Sequence, residues 1–309
     1  MGMRVFVTGA SGYLGSVLTT HLANLPEVEA ITGTYNSTTP QPPRSAKVRY
    51  VQMDVRSPEL ARAMAGHDIV IHSAFIVLWW ARMPAATRDD ICFNGTCNVA
   101  DAAIANRVHR FLYASSVAAY DPLLVSGKEG IDEECPVGTG VSPQYYFNCK
   151  AVADTKLVEA LSSSGITLTR LRPTYITGLH DRTSVKSFRE NRVQIPGRDP
   201  RIQFVHEDDV ASAFLHALGH DMPGAYNVVP DDFICLSDMY RIIGVTSPRT
   251  VPAWLARLVA QLRWRYFGSS THPMWLDALY GDTTFSNKKL RATGWAPRYD
   301  TAAALRSAP

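Results

Sequence analysis

Short, β-rich apolar runs alternate with stretches in which apolar residues recur every three or four positions, and this alternation fills the first half of the chain. Met3-Arg4-Val5-Phe6-Val7 has strand length, and Val17, Leu18, His21, Leu22 and Leu25 follow at helical spacing. Residues 28–33 and 48–53 predict the second and third strands, with a Ser/Thr/Pro loop over 37–44 between them. Ser57-Pro58 predicts the N-cap and first residue of a helix reaching about Ala65. A buried strand is expected over 68–72, a helix over 84–106, a fifth strand over 110–115, a helix over 143–163 and a strand over 166–172. Alternation of this kind implies right-handed crossovers and a parallel sheet covered on both faces.

Beyond Arg172 the regularity fails. A polar, Arg-rich stretch over 180–201 leads to a short apolar run at 202–206, a helix over 208–218 and one further short strand at 226–229. Helical patterns then dominate, at 237–243, 253–266 and 274–279, with 287–293 closed by Gly294. The expected organisation is therefore two-lobed. Residues 1–172, with 202–230 returning to them, form the sheet domain; 173–201 and 231–309 form a smaller, mostly helical lobe over the carboxyl ends of the strands.

The junction of the first strand and helix carries Thr8-Gly9-Ala10-Ser11-Gly12-Tyr13-Leu14-Gly15, a G-x-x-G-x-x-G turn. Gly9 permits the sharp turn, Gly12 lets the backbone approach a pyrophosphate, and Gly15 lets the helix pack closely on the sheet. Unpaired N–H groups and the positive end of the helix dipole then face the phosphates. Strand, turn and helix together predict a dinucleotide site on a Rossmann-type doubly wound sheet.

Composition removes several other classes. Across 309 residues, 46% are hydrophobic and 19% charged, with a net charge of +3, the range of a soluble globular enzyme. The basic residues are dispersed, and the one cluster, Arg257 to Arg265, is interrupted by Leu, Val and Trp, which argues against nucleic acid. Five cysteines (Cys92, Cys97, Cys135, Cys149, Cys235) contain no C-x-x-C pair, so neither a disulfide framework nor a zinc site is expected. No signal peptide and no run long enough to span a membrane is read, which points to the cytoplasm. His206 before Glu207-Asp208-Asp209 is read without a metal, since consecutive carboxylates do not share a helix face; Asp208 or Asp209 is expected to cap the helix.

The candidate chemistry lies at the ends of later elements. Strand five runs into Ser115-Ser116-Val117-Ala118-Ala119-Tyr120, and Tyr146-Phe147-Asn148-Cys149-Lys150 follows on a helix. Tyr146 and Lys150 are i and i+4 neighbours on one face. An ammonium beside a phenol favours phenolate, so Tyr146 is expected to titrate below an ordinary tyrosine and to exchange a proton with a carbonyl or alcohol. A serine hydroxyl at the strand end could bind the same oxygen.

With these motifs the chain resembles the extended short-chain dehydrogenases/reductases of the NAD-dependent epimerase/dehydratase family, from Met3 to about Asp300. Asp54-Val55, Ile71-His72-Ser73-Ala74, Asn94-Gly95-Thr96, Leu171-Arg172-Pro173, Phe204–Ala211 (similar to F-V-H-V-D-D-V-A) and Gly294-Trp295-Ala296-Pro297 occur in the family's order. The resemblance implies Ser116, Tyr146 and Lys150 as the catalytic set, with Lys150 also gripping the nicotinamide ribose. Ser116 fits better than Ser115 because it precedes Tyr120 by four residues. It implies cofactor contacts from Gly9, Ser11, Gly12, Tyr13, Leu14 and Gly15, from Asp54 to the adenine amino group with Val55 beside the ring, from Ser73, Ala74 and Phe75 along the cofactor's centre, and from Pro173 to Ile176 near the carboxamide. Four-helix pairing of 84–106 and 143–163 between two copies, giving a homodimer, is implied by the same resemblance.

Departures from the family pattern bear on specificity. Strand two ends in Thr34-Tyr35-Asn36-Ser37, without the acid that binds both ribose hydroxyls in NAD-preferring members; Asn36 and Ser37 could bind a 2′-phosphate, Arg44 could fold back, and NADP is favoured over NAD. Cys92 replaces a family asparagine, Tyr175 the asparagine of sugar-nucleotide epimerases, and Ile202 the arginine that holds their nucleotide diphosphate, with Arg201 adjacent. Ile76-Val77-Leu78-Trp79-Trp80 reads either as packing or as the wall of a lipophilic substrate pocket. The helix at 254–267, with Arg257, Arg263 and Arg265 among apolar residues, reads as an ordinary amphipathic helix before a membrane-surface one. The expected activity is NAD(P)-dependent hydride transfer between nicotinamide and a carbonyl or alcohol, on a small molecule that is lipophilic or a sugar nucleotide. The alternatives are a UDP-sugar 4-epimerase with tightly bound NAD and a non-catalytic dinucleotide sensor.

Overall fold

The computed structural model describes residues 2–43, 45–76, 83–139, 145–181, 183–267, 276 and 280–309. Seven strands form one parallel sheet: β1 (Met3–Thr8), β2 (Val28–Tyr35), β3 (Val48–Gln52), β4 (Ile69–His72), β5 (Arg110–Ala114), β6 (Thr167–Pro173) and β7 (Gly224–Val228). Their order is β7-β6-β5-β4-β1-β2-β3. The order reverses between β1 and β4, so the crevice at their carboxyl ends is where a doubly wound sheet binds its ligand.

Side-chain alternation along the strands builds a core on each face. Val5, Val7, Ile69, Ile71 and Leu112 point toward helices α1 (Tyr13–Ala23) and α4 (Glu207–Gly219), packing on Leu18, Leu22, Val210 and Phe214. Phe6, Val70 and Phe111 point the other way, onto α2 (Gly95–Ala105) and α3 (Tyr145–Leu161), where Val99, Ala103 and Leu157 receive them. Leu18 and Phe111 are fully buried; truncating such a side chain to alanine costs about 2–5 kcal/mol.

The expected strands and most helices recur within a few residues. The helix expected over 84–106 is helical throughout but contains a π-helical stretch, Asp90–Asn94, between Ala85–Asp89 and α2. The polar stretch over 180–201 holds a helix, Ser184–Asn191, which buries Val185 and packs Phe188 against a third apolar cluster around Phe204, Leu236, Met239 and Tyr240. Charged residues on its outer face masked this periodicity in the sequence. The expected 57–65 helix shortens to Leu60–Ala63, although the Ser57 hydroxyl accepts the Glu59 N–H as a cap does. Arg44, Val77 to Trp80 and Met274, Trp275 and residues 277–279 lie outside the described residues.

Three short pairings extend the fold over the sheet's carboxyl edge: Tyr175–Thr177 with Phe204–His206, Arg201–Ile202 with Ile234–Cys235, and Val193–Gln194 with Arg249–Thr250. No described helix is long and apolar enough to cross a membrane.

Candidate active site

The glycine turn is built as its sequence requires. Gly9 has φ +72°, and a Cβ there would lie 2.7 Å from the Ala74 backbone; a Cβ on Gly15 would lie 2.1 Å from the Gly9 carbonyl oxygen. Gly12 opens α1 in extended geometry with no side-chain cap, and its own Cβ would meet only the Gly9 carbonyl at 3.2 Å. Ser11 is half-buried and Gly12 exposed, while Leu14 packs on the core. Backbone this close, with uncapped amides at a helix N-terminus, fits a pyrophosphate.

Below the turn, His72 ties β4 to β1. Thr96 donates to the Cys92 carbonyl at 2.6 Å, so it accepts from His72 Nε2–H at 3.0 Å, leaving Nδ1 to accept from the Thr8 hydroxyl at 2.7 Å. The Thr8 hydroxyl in turn accepts from the Ala74 N–H at 3.3 Å, and the Ser73 hydroxyl donates to the Thr8 carbonyl at 2.7 Å. Burial, with the Lys150 charge nearby, pushes His72 down to about 3, so it stays neutral in this role.

At the far end of the crevice, Asn36 Nδ2 donates to Asp54 at 3.2 Å. Asp54 is gripped by Arg56, which donates from its backbone, Nε and Nη2 at 2.8–2.9 Å and reaches Asp90 with Nη1. These bonds hold the Asp54 carboxyl below its usual range. Val55 is buried beside Gly95, where a Cβ would come within 2.6 Å of its side chain. Sequence reasoning missed Arg56, whose only sign was its place two residues after Asp54.

The structure brings Ser116, Tyr146 and Lys150 together. The two serines divide their work: Ser115 donates to Asp154 at 2.6 Å, whereas Ser116 caps the turn Val117–Ala119 by accepting from the Ala118 N–H and hydrogen-bonds the Tyr146 phenol. Lys150 Nζ donates to the Ala114 carbonyl at 2.8 Å and lies 3.7 Å from the Phe75 ring centroid. Phe75 meets Tyr146 edge-on at 6.2 Å. Pro173 offers its carbonyl to Ser116 at 3.5 Å, and Ile176 packs on the sheet core beyond it.

One titration expectation changes. Burial pushes Tyr146 up to about 12, against the lowering expected from Lys150, and only the Ser116 hydrogen bond opposes it. Burial also lowers Lys150 to about 7. The i, i+4 spacing sets the neighbours on one face, but neither charge survives desolvation easily, and desolvation wins. The phenol is therefore protonated at neutral pH.

Other residues emerge only in three dimensions. Asp154, one turn beyond Lys150, is buried and holds Ser115, Arg170 and Arg172. Burial alone would raise its carboxyl; the two guanidinium groups and Ser115 overcome that and lower it. Tyr175 stands beside Tyr146, raised by burial and by the Tyr146 charge, and joins an aromatic cluster with Phe204 at 5.4 Å and Phe188 at 6.2 Å. The Tyr13 phenol donates to Glu207 at 2.6 Å, and Glu207 also binds His180 through its N–H and Nδ1. The expected aspartate cap on α4 is absent: His206 Nδ1 accepts the Asp208 N–H, while Asp209 binds the Arg298 and Tyr299 amides. Arg201 is committed to Asp282 and Glu129. No group of three metal-ligating side chains is gathered among the described residues.

With this geometry in place, comparison assigns the class. The chain belongs to the NAD dependent epimerase/dehydratase family, whose model matches residues 5–228. It is similar to a 3-beta-hydroxysteroid dehydrogenase of Mycolicibacterium neoaurum, 25% identical over 98% of this chain and 89% of that protein. A 2-alkyl-3-oxoalkanoate reductase of Shewanella oneidensis is 29% identical over 67% of this chain and 52% of its own length. The crystal structure of the UDP-glucuronic acid 4-epimerase from Bacillus cereus in complex with NAD shares the fold at a TM-score of 0.74, with 15% identity over 99% of this chain and 97% of that one.

Proposed function

We propose that the protein is an NAD(P)-dependent oxidoreductase that reduces, or in reverse forms, a carbonyl on a lipophilic substrate. The bound nicotinamide would supply or accept the hydride. Tyr146, protonated at neutral pH, hands a proton to the carbonyl oxygen; Ser116 binds that oxygen; Lys150 orders the site and reaches the ribose. The observation that carries this reading is the hydrogen bond between the Ser116 hydroxyl and the Tyr146 phenol beside the buried Lys150 ammonium.

The substrate side supports an apolar molecule over a sugar nucleotide. Tyr175 stands next to the phenol, backed by the core rings of Phe188 and Phe204, and Phe75 covers the lysine. Arg201, the nearest substitute for a diphosphate-binding arginine, has its guanidinium occupied by two carboxylates, and Ile202 is buried. Residues 173–201 and 231–309 would form the substrate-binding lobe, and NADP is preferred because Asn36 stands in place of the ribose-binding acid while the neighbouring Asp54 is paired with Arg56. The outer faces of α2 and α3, which expose Ile104 and Val158, would join two copies as a homodimer.

The test is to incubate the protein with NADPH or NADH and, in turn, steroid ketones, long-chain β-keto acids and UDP-sugars, following nicotinamide absorbance. Consumption of reduced cofactor with the apolar ketones supports the reading. Interconversion of UDP-sugars by co-purified NAD with no net absorbance change contradicts it.

A further inference from the structure

The helix Ala253–Phe267 is not the ordinary amphipathic helix its sequence suggested. Such a helix hides its apolar stripe against the protein. Here Ala256 is buried and Leu255, Ala260 and Trp264 are half-buried, while five other large apolar residues turn out. Trp254, Leu258, Leu262 and Tyr266 recur at i, i+4, i+8 and i+12, a single line along the helix, and are 67%, 46%, 44% and 67% exposed. Val259, 45% exposed, widens the line. Isolated exposed apolar residues need no account, but five on one face do.

Charge selects the partner. The helix Ala253–Phe267 has three arginines (Arg257, Arg263, Arg265) and no Asp or Glu. On the helix itself, Arg257 and Arg263 flank the apolar line on opposite sides, and Arg265 lies over the Tyr266 ring, 5.8 Å from its centroid. Arg263 also donates to Asn191, so one flank of the helix is tethered to the lobe. A two-fold contact between copies would set these arginines against their equivalents with no acid on the helix to meet them. An anionic bilayer meets both requirements, taking the apolar line into the headgroup boundary and pairing the arginines with lipid phosphates. Trp254 and Tyr266 then stand at the two ends of the buried line, each an amphipathic ring suited to the interface.

We propose that Ala253–Phe267 docks the protein, in the plane of the interface, on an anionic lipid surface. The inference is independent of the reaction assigned above.

The experiment is co-sedimentation of the full chain with vesicles of equal phosphatidylglycerol and phosphatidylcholine, and with phosphatidylcholine alone. Partition to the anionic vesicles should exceed that to the neutral ones by about tenfold and weaken in high salt. The Arg257→Gln/Arg263→Gln variant, at two exposed positions, should lose about fivefold per arginine. Leu258→Glu/Leu262→Glu should abolish partition while far-UV circular dichroism is retained. Equal partition to both vesicles, partition to neither, or a dimer that Leu258→Glu/Leu262→Glu dissociates with no change in lipid binding would each overturn the proposal.

Discussion

The Lys150 ammonium donates to the Ala114 carbonyl at 2.8 Å, tying α3 to the end of β5 at the point where Ser116 begins its turn. Burial leaves this lysine at about 7, against 10.5 for an exposed one. Between those values the unfolded chain binds the proton and the folded protein does not, so the group makes stability rise with pH. Below about 7 both states are protonated and the full burial cost on the charge is felt. Urea midpoints measured across neutral to alkaline pH should therefore rise in wild type relative to Lys150→Met, and parallel curves would contradict the assignment.

Gly15→Ala places a methyl 2.1 Å from the Gly9 carbonyl oxygen, a backbone clash that no side-chain motion relieves. Gly12→Ala meets the same oxygen at 3.2 Å. Titration of intrinsic fluorescence with NADPH should show binding lost in the first variant and weakened, not lost, in the second.

Glu207 accepts from both Tyr13 and His180, and it stands where the family signature has valine. It clamps the glycine turn to the segment leaving Thr177. Glu207→Ala strands the half-buried Tyr13 phenol without its acceptor, at about 1–3 kcal/mol for a buried donor. Glu207→Gln keeps an acceptor and should recover most of that loss in chemical denaturation, with dinucleotide affinity following the same order.

Asn36 directly follows β2 and donates to Asp54, at the strand end where the family resemblance puts the adenosine ribose. Asn36→Asp should lower affinity for NADPH about tenfold or more relative to NADH, by like-charge repulsion with the 2′-phosphate. An unchanged ratio in calorimetric titrations would remove Asn36 from cofactor selection.

The sheet was readable because its central strands, β1 and β4 above all, are apolar on both faces and each glycine of the turn answers a backbone constraint. Val5 and Phe6 serve opposite cores, and adjacent apolar residues are the only local sign of that. The Tyr146–Lys150 spacing likewise places two side chains on one face. What local pattern does not carry is desolvation: the sequence puts an ammonium near a phenol, and only burial decides that the phenol rises and the ammonium falls. Partners distant in the chain were equally hidden, as with Glu207 and Tyr13, or Asp154 and Arg172. Asp154 had a sign that passed unused, its position four residues after Lys150. The outward stripe of Ala253–Phe267 has the same periodicity a buried one would have, so its direction is a property of the fold.

The central claim is that the Tyr146 hydroxyl moves the proton. Cofactor-dependent turnover of Tyr146→Phe, measured alongside its dinucleotide affinity, tests it most directly. The account predicts turnover lower by about two to four decades with binding of the dinucleotide intact. Turnover equal to wild type would contradict it.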